Sequence, residues 1–61
     1  MPNLTAKELT AIEDVLGQEK TLVTKYKMYA NMSQDPQIQQ KCNEIACKHQ
    51  QHYDKLLSQL A

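Results

Sequence analysis

The sequence predicts an all-α protein, an antiparallel two-helix hairpin that dimerises into a four-helix bundle. Apolar residues recur at alternating gaps of three and four, first at Leu9, Ile12, Leu16, Val23, Tyr26 and Ala30, then at Ile38, Cys42, Ile45 and Leu56. A short polar stretch, Asn31 to Asp35, separates the two series, as a helix–helix connection should. Each series also has more apolar surface than one partner helix can cover. At 100° per residue the first arc, from Tyr29 and Leu22 round to Leu9, spans about 160°. A two-stranded seam needs only a narrow stripe, so the flanking Val15, Leu22, Tyr29, Ala46, Tyr53 and Leu57 are expected to meet a second hairpin in a homodimer.

Local signals place each element. Thr5 is positioned to cap the first helix, Glu8 three residues on completes a capping box, and Leu4 can staple to Leu9. The periodic pattern then runs over about 6–32, or roughly 40 Å of helix. Gly17, the only glycine, lies inside it on the back of the apolar arc, where it costs up to about 1 kcal/mol relative to alanine. The turn falls at about 33–35. Asp35 reads as the cap of the second helix and Pro36 as its first residue, and the pattern continues over about 36–60. Glu44 and Lys48 are spaced to pair on its outer side. Residues 1–61 therefore read as one domain, with no strand pattern, glycine-rich phosphate loop or zinc-type cysteine pairing.

Composition narrows the function classes. A chain of 61 residues rarely builds a sufficient core alone and usually needs disulfides, a metal or oligomerisation. Cys42 and Cys47 lie five apart on one helix and cannot bridge each other, which points to a reduced, intracellular chain. Cys42 falls on the inner arc as a small hydrophobe, and Cys47 falls outside. Seven acids balance seven bases, with the lysines scattered, which argues against a nucleic-acid partner. No secretory signal or membrane-length apolar run is evident, so a soluble protein is expected. Tyr26, Tyr29 and Tyr53 read as packing residues, Met28 and Met32 as fringe contacts. The glutamines around Gln39–Gln40 and Gln50–Gln51 read as solvated surface.

Three polar residues break the apolar pattern: Glu19 near the centre of the first arc, His49 inside the second and His52 at its edge. If the segments fold back on each other, facing positions sum to about 68, because both helices rise equally per residue. That register sets Val23 beside Ile45, Ala30 beside Ile38, Glu19 beside His49 and Leu16 beside His52. Burying an ionisable group costs several kcal/mol unless it is paired or bound to a metal. Two imidazoles and a carboxylate suit zinc, iron or manganese, and two-fold pairing of hairpins would bring four or six such ligands around one axis. The alternative is a hydrogen-bonded Glu–His pair or a hydrated pocket, with His52 turned outward. Both readings stand on the sequence.

The chain resembles the bacterial spore coat F family, itself similar to the ferritin-like helical proteins. The resemblance covers nearly the whole chain: Leu4–Thr5, Glu13 to Glu19, Lys25–Tyr26, Tyr29–Ala30, Gln34–Asp35–Pro36–Gln37, Ile45–Ala46 and His49–Gln50–Gln51–His52–Tyr53. It implies a ferritin-like bundle, a spore setting, and other spore or coat proteins as partners. Ferritin-like carboxylate sites use a Glu on one helix and Glu-x-x-His on the next. Glu19 matches the first Glu and His52 the motif His, whereas His49 stands where the motif has its second Glu. The function expected first is a self-associating structural or interaction protein, with no catalytic residue assigned. A metal-binding protein using Glu19, His49 and His52 comes next. A di-iron oxidoreductase ranks last, because the motif's second Glu is absent.

Overall fold

Helix α1 spans Ala6–Met32 and helix α2 spans Pro36–Ser58, in a computed structural model that describes residues 4–60. The entry to α1 is the expected reciprocal cap. Thr5 is extended (φ −72°, ψ 159°) and its hydroxyl accepts from the Glu8 N–H at 3.1 Å. The Glu8 carboxylate accepts from the Thr5 N–H at 3.1 Å. Two backbone donors that the first helical turn leaves free are satisfied in this way. These two bonds, the backbone one first, hold the Glu8 carboxyl below the usual glutamate range.

Side chains build the connection between the helices. Ser33 leaves α1 in an extended conformation (ψ 140°) while its N–H still donates to the Tyr29 carbonyl at 3.1 Å. Its hydroxyl accepts from the Asp35 N–H at 3.1 Å. Asp35 then caps α2, accepting from the N–H groups of Gln37 at 2.8 Å and Ile38 at 3.4 Å. Pro36 follows where a missing N–H costs nothing. The Gln39 side chain donates to the Ser33 carbonyl. Gln39 is therefore a half-buried part of the turn rather than solvated surface. No described residue adopts a positive φ. With both ends tied by side-chain bonds, the reversal requires no glycine.

Two expectations about α2 are corrected. The helix ends at Ser58, two residues before Leu60. There the Gln59 N–H turns to the Leu56 carbonyl at 3.2 Å and the Leu60 N–H to the Leu57 carbonyl at 3.0 Å, the tighter spacing common in a last turn. Glu44 does not pair with Lys48 among the described residues. Instead its carboxylate accepts from the Gln40 side chain at 3.3 Å, one turn earlier. An exposed ion pair gains too little in water to hold one geometry against such a neighbour.

The seam between the helices buries Val23, Ala30 and Ala46, at 6%, 3% and 2% exposure. Ile12, Leu16, Glu19, Leu22 and Tyr26 from α1 and Cys42, Ile45, His49, Tyr53 and Leu56 from α2 are half-buried around them. Helix α2 is thus turned by part of a residue step from the expected face. Ala46, expected at a second hairpin, lies in the seam, while Ile38, expected there, is 51% exposed. Close approach of two backbones favours the small side chain, so alanine rather than isoleucine takes the tightest position.

This rotation gathers apolar surface on one side. The Cα envelope measures 47 × 15 × 11 Å, wide enough for two helices side by side but only one layer deep. In an antiparallel pair, Val15, Leu22 and Tyr29 on α1, seven residues apart, and Ile38, Ile45 and Leu56 on α2 turn to the same side of the layer. The opposite side carries Lys20, Lys27, Asn43, Gln50, Gln51 and Asp54 around shallow surface hollows, together with exposed Leu9 and with Leu57, which was expected to meet the second hairpin. Among the described residues no helix is long and apolar enough to cross a membrane.

Two outcomes are expected here. A Cβ built on Gly17 meets nothing within 4 Å. Gly17→Ala should therefore stabilise the protein by about 0.5–1 kcal/mol through lower unfolded-state entropy, read as a higher melting temperature. The Glu8 carboxyl is lowered on folding, so its contribution is complete above the ordinary glutamate range and is lost as pH falls through its lower folded value. Amide exchange in the first turn of α1 should accelerate, relative to mid-helix amides, over that acidic window and not above it.

Candidate metal centre

Glu19 sits midway along α1 and His49 midway along α2, and the antiparallel register brings them together. The His49 Nδ1 lies 2.8 Å from the Glu19 Oε2. A carboxylate oxygen can only accept, so Nδ1 carries the hydrogen of this bond. His52, one turn further along α2, turns its own Nδ1 toward the same oxygen at 3.7 Å. The side chains of Glu19 and His49 are 18% and 24% exposed, whereas that of His52 is 63% exposed. One oxygen thus has two imidazole nitrogens directed at it, one within hydrogen-bond distance and one just beyond.

Aromatic rings wall this cluster on one side. The Tyr26 ring stacks on His49 with centroids 6.1 Å apart and planes 17° apart. His49 and His52 meet edge to face at 5.9 Å, as do Tyr26 and Tyr29 at 5.7 Å. The Lys25 ammonium lies 5.8 Å over the Tyr29 ring and closes the row. Tyr26 was expected only to pack, opposite Cys42, and its stacking on His49 is the contact that residue spacing missed. The signal lies in side-chain direction. Helical side chains lean toward their own N-terminus, so in antiparallel helices Tyr26 and His49 lean toward each other across the seam.

All three residues singled out by the sequence come together. One ligand atom from each of Glu19, His49 and His52 can be chosen so that all lie within 4.8 Å of one another, and this is the one such group among the described residues. Cys42 is half-buried and Cys47 exposed, both free and outside it. The donor set does not fit a carboxylate-bridged di-iron pair of the ferritin-like kind. One hairpin brings a single carboxylate to the cluster, beside two imidazoles. Two nitrogens and one oxygen instead match a site for a single ion. No protein-family model, curated protein or solved structure matches the chain.

Glu19 and His49 should act as a unit. In the presence of a chelator, Glu19→Leu or His49→Leu alone should cost about 1–3 kcal/mol, because each strands a half-buried polar partner. The double substitution should cost clearly less than the sum of the two. A thermal double-mutant cycle reads the coupling, and additive losses would separate the residues.

Proposed function

We propose that this chain is a self-associating structural subunit, in which two hairpins join through their apolar sides into a four-helix bundle. The one observation that carries the reading is an exposed apolar strip along one side of the hairpin, although Leu9, Met28, Met32 and Leu57 are exposed outside it. Val15, Tyr29 and Ile38 remain 43%, 40% and 51% exposed, and they share a side with half-buried Leu22 and Ile45. Among the described residues a single hairpin buries Val23, Ala30 and Ala46, too few to offset the conformational entropy of ordering some fifty residues. Each further Leu- or Ile-sized side chain taken out of water contributes about 1.5–3 kcal/mol. A second copy presents the same side, so a two-fold pairing satisfies both hairpins at once and closes the assembly. Folding and association are then one process.

The resemblance to the spore coat F family supports the same role and supplies the setting, a spore coat in which other coat proteins are the partners. Ferritin-like architecture follows from two such hairpins, without requiring ferritin-like chemistry. No catalytic residue is assigned.

Sedimentation at micromolar concentration should give a species of twice the 7.0 kDa chain mass. Leu22→Lys should shift it toward monomer and lower its melting temperature, since a second copy would bury the cation and the nearest carboxylate, Glu19, is already bonded to His49. Gln50→Lys, on the polar side, should leave both unchanged. A helical monomer that melts independently of concentration would rule the reading out.

A further inference from the structure

We propose that Glu19, His49 and His52 of one hairpin bind one divalent transition-metal ion of the zinc class, with an open fourth position. The inference goes beyond self-association and stands on residues of a single hairpin, so either can fail without the other. Tetrahedral zinc holds nitrogen and oxygen donors at about 2.0–2.2 Å, which puts donor atoms roughly 3.3–3.5 Å from one another. The two separations from the Glu19 Oε2, 2.8 Å to the His49 Nδ1 and 3.7 Å to the His52 Nδ1, straddle that value. Glu19 needs to withdraw slightly from His49 while His52, 63% exposed, swings in.

The surroundings favour an ion over a simple hydrogen-bonded pair. A Glu–His bond uses one imidazole, and here a second ring, edge-on to His49, also turns its Nδ1 to the same oxygen although its side chain is 63% exposed. The Tyr26 ring stacked on His49 fixes the plane of one ligand before any ion arrives. Metal binding exchanges the His49 tautomer: the hydrogen that Nδ1 donates to Glu19 moves to Nε2, and the freed Nδ1 lone pair meets the ion. No bond to carbon changes, and neutral imidazoles need release no proton. Among zinc, iron(II) and manganese(II), a site of this type ranks zinc first, so the affinity order provides a second check.

The test is calorimetric titration of the full chain with zinc chloride at neutral pH, with nitrogen-15 spectra of the imidazoles and sedimentation on the same samples. One ion per chain is expected, with His49 converted to the Nε2–H tautomer, both Nδ1 resonances shifted by the ion, and manganese displaced by zinc. His52→Ala removes an exposed ring, and circular dichroism should show it to be as helical as the parent while it binds zinc at least about tenfold more weakly. Glu19→Gln should weaken binding similarly. Well below one ion per chain, or an isotherm unchanged by His52→Ala, overturns the metal site. A dimer without zinc binding leaves self-association standing and defeats this inference, whereas a monomer with one zinc does the reverse.

Discussion

The constraint on which the rest of this structure depends is the shortage of core. Two helices in one layer can enclose little: only Val23, Ala30 and Ala46 fall below the exposure of a buried residue. Local devices hold the ends in place, including the Thr5–Glu8 box, the Asp35 cap and the Gln39 bond to Ser33. Each is worth at most a kcal/mol or two. They specify where helices start and how the chain reverses, but they do not supply the free energy that sixty residues need. In the proposed dimer that energy comes from the apolar side left open.

The polar cluster lies in the middle of the same side, which makes its pairing consequential. In one hairpin Glu19 and His49 keep about a fifth of their surface in water, so their desolvation is incomplete. Covering that side with a second copy removes more of the water and raises the cost of any polar atom left without a partner. A ligand set that is satisfied internally can be buried there, while an unpaired carboxylate cannot. The aromatic row of Tyr29, Tyr26 and His49 supports this arrangement, since its stacked and edge-on contacts fix ring orientation.

How much of this was legible in the residues divides along physical lines. The bounds of α1, the start of α2 and the Glu19–His49 pairing could be read directly, because caps are local and because equal rise per residue fixes which positions face each other. The facing side of α2 could not. Ile45 and Ala46 are neighbours, and hydrophobicity alone places isoleucine inside; which of them takes the closest approach is decided by volume once both helices exist. The stacking of Tyr26 on His49 was missed for a related reason, since register locates Cα atoms and not the direction in which side chains lean. The last turn tightens to bonds between Gln59 and Leu56 and between Leu60 and Leu57, which ends α2 two residues before Leu60.

The central claim, that the Val15–Leu22–Tyr29 side of one hairpin packs on the same side of another, is tested most directly by isotope-filtered nuclear Overhauser spectroscopy. Labelled and unlabelled chains are mixed after unfolding and refolding together. Cross-peaks between copies are expected from the methyl groups of Val15, Leu22, Ile38 and Ile45, and none from the side that carries Lys20, Lys27 and Gln50. Intermolecular cross-peaks confined to that polar side, or none at concentrations where the protein is fully helical, would contradict it.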